Sequence, residues 1–201
     1  MPRRSQEDRS RTTRAALEEV GRRLFAERGY VHVSAEEIVT AAGVTRGALH
    51  HHYGDKRGLF LAVLERLEGE NAAEITRALA QLPDPGDLPT AMAVGLGIFL
   101  EQCRRPETVR IAMSDALAVL GWQGWRELER RYGLGLITDM LDSAERAGLI
   151  TPAPVHVLAQ LILSAVTEAG LIIAHADDPE TARLQAEQSM LLLISGILRP
   201  A

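Results

Sequence analysis

Apolar residues recur every three or four positions along most of this chain, a spacing that predicts helices from end to end. Leu17, Val20, Gly21, Leu24 and Phe25 share one stripe of a first helix over roughly 12–28. Ser34 followed three residues later by Glu37 is a capping box, which starts a short second helix through Ile38 and Ala42. Gly43 supplies a left-handed turn, and Thr45 caps a third helix on which Leu49 and Tyr53, four apart, point inward. Gly54 ends that helix and Asp55 caps the next, a long one through Leu59, Phe60, Val63, Leu64 and Leu67 to about Ala80. Beyond the stretch LPDPGDLP, five more helices are predicted near 88–103, 106–119, 122–147, 152–175 and 179–198. Pro152 behind Thr151 and Pro179 behind Asp178 read as first-turn prolines after N-caps.

Few aromatics, scarce β-branched alternation and abundant Ala, Leu, Glu and Arg agree with an all-α fold. The single cysteine, Cys103, leaves no internal disulfide framework and fits a reducing cytoplasm. The first fifteen residues are arginine-rich without an apolar core, and no uninterrupted apolar run reaches spanning length, so neither a signal peptide nor a membrane segment is expected. Net charge of -5 argues against a chain that coats nucleic acid over its whole surface. Its distribution is uneven: eleven basic against eight acidic residues up to position 60 give +3, leaving -8 for the rest. A basic head on an acidic body is the split expected when one end meets phosphate.

Short helix, glycine turn, short helix is the pattern of a helix-turn-helix, here 1–55, followed by a helical body, 56–201. On the third helix Gly47, His50 and His51 look outward, and Gly47 lets the backbone approach a partner closely. The run His50, His51, His52 cannot close on one metal ion, because neighbours on a helix point about 100° apart and no i,i+4 pair of His or Cys exists. Lys56 at a helix N-terminus suits a phosphate. The arginines Arg3, Arg4, Arg9, Arg11 and Arg14 read equally as a DNA-reaching arm or a solvated tail. No GxxxxGK loop accompanies Gly95 and Gly97, no nucleophile elbow is present, and no enzyme or cofactor is expected.

The run GVTRGALHHHYGDKRGLF, preceded by SAEEIVTAA and a helix ending LFAERGY, resembles the N-terminal signature of the TetR family of bacterial transcriptional repressors. The resemblance implies an N-terminal three-helix helix-turn-helix domain joined by a long helix to a C-terminal helical domain that dimerises and holds a small-molecule inducer. It places Arg46 and Gly47 near base edges and Thr45, His50, His52 and Lys56 near phosphates, with Ser34 and Glu36 opening the second helix and His51 on the outward face. His50 stands where the family usually carries Tyr; a neutral imidazole still donates one hydrogen bond. Glu36 stands where a polar or basic residue is common, and a carboxylate there repels phosphate but accepts from cytosine N4.

In the body, the segment from Val157 to Ala174 is apolar around most of its circumference, so it must be covered on more than one side. With the last helix it is expected to form a four-helix interface between two copies; the alternative is an internal core pair. The expected pocket walls carry Leu96, Phe99, Cys103, Met113, Leu117, Trp122 and Trp125, with Thr167 and Glu168 as polar anchors. The expectation is thus a cytoplasmic homodimeric repressor that binds a double-stranded operator and is released by a small-molecule effector. Its rivals are a helical metal-binding protein or enzyme using the histidine run, and a regulator whose body binds a protein partner.

Overall fold

The structure is a computed structural model that describes residues 6–84 and 87–198. Within them lie nine α-helices: α1 Gln6–Arg28, α2 Ala35–Ala41, α3 Arg46–Tyr53, α4 Lys56–Leu79, α5 Leu88–Gln102, α6 Ala116–Glu129, α7 Gly135–Arg146, α8 Val155–Ala174 and α9 Pro179–Ser195. Wider π-helical stretches, Thr108–Asp115 and Arg130–Leu134, lead into α6 and α7. Among the described residues the only extended pairing is an isolated bridge between Ile150 and Leu198.

The chain divides into two compact units. One holds the described residues through Leu67 together with Pro106–Gly121; the other holds Glu68–Arg105 and the described residues from Trp122 onward. This differs from the expected 1–55 and 56–201 division. Leu59, Phe60, Val63 and Leu64, at the start of α4, are buried with the helix-turn-helix core, and Pro106–Gly121 bonds to α1 and its following turn.

In the first unit Leu17, Phe25, Ile38, Leu49, Leu59, Phe60 and Leu64 are buried, each such side chain contributing about 1.5–3 kcal/mol. Phe25, Tyr30 and Phe60 form an aromatic cluster with ring centroids 5.1 to 5.9 Å apart. The turn before α3 has the anticipated chemistry. Gly43 takes a φ of 64°, and the amides of Gly43 and Val44 donate to the carbonyls of Thr40 and Val39 at 3.2 and 3.0 Å, a Schellman closure. The capping box is complete, since the Ser34 hydroxyl accepts from the Glu37 amide while the Glu37 carboxylate accepts from the Ser34 amide.

Two local expectations need correction. Helix α1 begins at Gln6, so Arg9, Arg11 and Arg14 stand on a helix, not in a loose arm; Glu7 and Asp8 in its first turn favour that start. Arg3 and Arg4 lie outside the described residues. Pro152 does not open α8, which starts at Val155 behind Pro154, whereas Pro179 does open α9 behind an Asp178 cap.

In the second unit α8 packs against α7 and α9, and α5 lies against both α8 and α9. The close approach of α5 and α8 rests on Gly170: a Cβ there would lie 2.8 Å from Cys103 Sγ and 3.2 Å from the Phe99 ring. Against expectation, α8 is long and apolar enough, by length and composition alone, to cross a membrane, with mean hydropathy 2.0. Its packing between α7, α9 and α5 makes it a core helix of this unit.

Candidate functional site

Helix α3 is held by its back. Leu49 is buried at 3% exposure, and the Tyr53 hydroxyl donates to Glu18 Oε1 on α1 at 2.7 Å. Burial, then that carboxylate, raises the phenol's pKa and keeps it a donor. The Thr45 hydroxyl accepts from the Ala48 amide and fixes the N-terminus. With Leu49 and Tyr53 anchored, Gly47, His50 and His51 look outward and Arg46 flanks the anchored stripe, all four solvent-exposed. This is a short rod with a polar, glycine-notched front, a shape and chemistry that suit a major groove.

An open groove runs between the start of α1 and α3, its lining including Glu7, Arg9, Arg14, Thr45, His51 and His52. Its arginines and hydroxyls are chemistry that can meet phosphate, beside the one carboxylate of Glu7. His52 is half-buried, its ring 4.9 Å from that of His51. Burial, then the charges of His51 and Arg14, lower its pKa, so it is held neutral. Among the described residues no group of three or more His, Cys, Asp and Glu gathers as metal ligands.

Lys56 departs from its expected place beside phosphate. Its Nζ donates to the carbonyls of Tyr30 and Val33 at 2.9 and 2.8 Å and sits 3.9 Å from the Tyr30 ring centroid. The Tyr30 carbonyl also accepts from the Val33 amide at 3.4 Å, and the ammonium adds a donor to it and to the Val33 carbonyl. Ser34 is likewise engaged in its cap, whereas Glu36 is exposed at the start of α2. The neighbouring Glu37 carboxyl is drawn down to about 2 by the Ser34 amide first, then by Arg28 and the Ser34 hydroxyl.

Behind the helix-turn-helix, Pro106–Gly121 makes contacts that span 62 to 85 positions of sequence. Arg22 forks onto Glu107, Nε to Oε2 and one terminal nitrogen to Oε1, both at 2.7 Å. Asp115 Oδ2 accepts from the Tyr30 amide at 2.7 Å, Arg110 donates to the Arg28 carbonyl at 3.2 Å, and Arg57 donates to the Val119 carbonyl at 3.1 Å. The helical pattern of 106–119 places none of these partners, because each is a long-range pairing without a sequence motif.

The expected pocket residues do not all share one unit. Leu96, Phe99, Cys103, Trp122, Trp125 and Thr167 belong to the second, Met113 and Leu117 to the first. Leu96 and Cys103 are buried, and Trp122 and Trp125 lie with ring centroids 5.6 Å apart, Trp122 largely exposed. Glu168 is exposed and points away from the interior of its unit; Thr167 is the anchor that turns inward, donating to Glu129 Oε1 at 2.8 Å. Arg126 pairs with Glu129 at 3.0 Å. Burial, then Glu68, pushes the Cys103 thiol up to about 12, so this buried side chain stays protonated packing. The interior carboxyl that sequence reading missed is Glu68, one turn beyond Leu64 on the inward stripe of α4. Burial, then the charge of Glu129, raises it to about 7. Its spacing from Leu64 was the available signal.

Residues 18–63 match the family described as bacterial regulatory proteins, tetR family, and residues 89–197 match the tetracyclin repressor-like C-terminal domain. The HTH-type transcriptional repressor AcnR of Corynebacterium glutamicum is 41% identical over 121 residues, 56% of this chain and 62% of the relative. The HTH-type transcriptional regulator AcrR of Shigella flexneri is 37% identical over 101 residues, 50% of this chain and 46% of the relative. The chain therefore spans less than two thirds of the length of these curated relatives. A crystal structure of a TetR-family transcriptional regulator from Pectobacterium atrosepticum superposes with a TM-score of 0.84 at 31% identity, over 98% of this chain and all of that one. The fatty acid degradation regulator FadR of Bacillus halodurans, at 13% identity and a TM-score of 0.72 over 94% of this chain and 97% of that one, shares the fold. An N-terminal helix-turn-helix match and a C-terminal match covering more than half the sequence settle the relationship: the chain belongs to the TetR family of bacterial transcriptional regulators.

Proposed function

We propose that the chain is a homodimeric repressor that binds a DNA operator through α3 and leaves it when a small molecule occupies the second unit. The observation that carries this reading is the exposed surface of α3, where Gly47, His50 and His51 face outward and Arg46 flanks the stripe that Leu49 anchors, all four solvent-exposed. Arg46 at a base edge grips guanine O6 and N7 with two hydrogen bonds, worth about 1–3 kcal/mol of discrimination. Thr45, His52 and the α1 arginines along the adjoining groove supply phosphate contacts. Access to an operator puts the protein in the cytoplasm, and nothing in this role requires catalysis.

Dimerisation through α8 and α9 has direct physical support. Val157, Leu161 and Ile172 on α8 and Leu192 and Leu193 on α9 are all more than half exposed in the single chain. Apolar surface of that extent on two adjacent helices is covered most simply by the same surface of a second copy about a two-fold axis. Two such copies present two α3 helices, and half-sites about 34–36 Å apart are the matching target.

Release by a ligand requires that the two head positions bind it with different affinity, typically a coupling of about 1–3 kcal/mol. The clasp of Glu107, Arg110 and Asp115 on α1 and its turn is the candidate linkage, since Pro106–Gly121 continues directly into Trp122 and the second unit. A gel shift on DNA flanking the protein's own coding region tests the reading. A discrete complex whose footprint covers two half-sites one turn apart is the expected result, and no sequence preference over bulk DNA refutes it.

A further inference from the structure

We propose that DNA binding is proton-linked, the imidazole of His52 taking a proton from solvent as a backbone phosphate enters the groove between α1 and α3. The inference rests on the DNA-binding reading above and names a regulation of that same surface. Arg9 and Arg14 line the groove from α1, and neither guanidinium has an ion-pair partner among the described residues, whereas Arg11 on the same helix is paired with Asp8 at 2.7 Å. The Thr45 hydroxyl accepts from the Ala48 amide at 3.2 Å, which leaves its own proton for an acceptor in the groove. Two unpaired cations and a hydroxyl around one open space suit a phosphate oxygen, and the single carboxylate of the lining, Glu7, does not cancel them.

His52 lies on the wall of this groove, half-buried, its ring centroid 4.9 Å from that of His51 and 6.3 Å from that of Tyr53. The charged and titratable groups around it are therefore Glu7, Arg9 and Arg14 from α1 and His51 and Tyr53 from α3. Tyr53 adds no charge, because its hydroxyl is kept as a donor to Glu18. In the free protein the surroundings of His52 favour the neutral ring, through burial first and then through His51 and Arg14. A phosphate reverses that balance: a negative charge within about 4–6 Å favours the imidazolium, which gains a charge-assisted hydrogen bond to the anion. The complex then holds more protons than the free protein, so affinity rises as pH falls. Phosphate contacts carry no sequence information, so the linkage belongs to any duplex and not to one operator.

The test is an NMR pH titration of the full-length protein with isotope-labelled histidines, free and bound to a mixed-sequence duplex at low salt. The His52 signal is identified by its loss in His52→Gln or His52→Asn. The expected result is a titration midpoint below about 6.5 in the free protein, raised by at least about one pH unit in the complex, a tenfold change in the ring's protonation equilibrium. Anisotropy on the same duplex should then show the affinity gain from pH 8 to pH 6 to be at least about threefold larger for wild type than for His52→Gln. A midpoint that is unmoved or lowered by the duplex, or an equal pH dependence in the two proteins, overturns the proposal. Binding with an unmoved midpoint defeats only the proton linkage, whereas a wild type that binds no duplex at any pH defeats the repressor reading and the linkage with it.

Discussion

Replacing Arg22 and Glu107 singly and together tests whether Pro106–Gly121 is clasped to the helix-turn-helix. The two side chains, 25% and 34% exposed, share two parallel hydrogen bonds of 2.7 Å. A fully exposed pair contributes about 0.2–1 kcal/mol and truncating one partner of a buried one costs about 3–5 kcal/mol. Partial exposure with bidentate geometry lies between, so a coupling energy of about 1–2 kcal/mol is expected. The assay is urea denaturation of wild type, Arg22→Ala, Glu107→Ala and the double variant at one fixed protein concentration, because a dimer's stability depends on concentration. Each single change is predicted to cost nearly as much as both together. Additive losses, with coupling below about 0.3 kcal/mol, would show that the pair contributes nothing and that the clasp is not a mechanical link.

Other consequences are direct. Glu68 has a folded pKa raised from 4.5 to about 7, so its contribution is fully present below pH 4.5 and lost as pH rises to 7; Glu68→Gln is predicted to raise stability by up to about 3 kcal/mol at pH 8 and by little near pH 4, read by denaturant melts at both values. Lys56→Met removes the donor to two carbonyls and should destabilise by about 2 kcal/mol while leaving the salt slope of operator binding unchanged; a slope reduced by about 0.9 would return Lys56 to the phosphate. Leu161→Glu with Leu192→Glu places charges on the exposed apolar faces of α8 and α9, and light scattering should then find monomers where the wild type gives dimers.

What could be read from sequence is what local chemistry controls. The Ser34 to Glu37 box, the Gly43 turn, the Thr45 and Asp178 caps and the Leu49 and Tyr53 stripe each involve residues within four positions of one another, and each stands in the structure as expected. Pairings across the chain were not legible. Nothing in the pattern of 106–119 says that Glu107 meets Arg22 or that Asp115 caps the Tyr30 amide, because a charged residue on a helix reads the same whether it faces water or a distant arginine. Lys56 shows a related limit: a lysine at a helix start suits an anion, and nothing in the local pattern says that its ammonium meets the Tyr30 and Val33 carbonyls and the Tyr30 ring. Glu68 was legible in principle, since a carboxylate four residues after Leu64 breaks an otherwise apolar stripe.

The account depends most on the front of α3, and fluorescence anisotropy on a duplex carrying the two selected half-sites tests it directly. Wild type is compared with the Arg46→Ala, His51→Ala double variant, both side chains being exposed and outside the core. The predicted result is a loss of at least tenfold in affinity for that duplex with little change on a scrambled one, because base-edge contacts carry sequence and phosphate contacts do not. Equal affinity of the two proteins for the selected duplex would contradict the claim that this helix reads DNA.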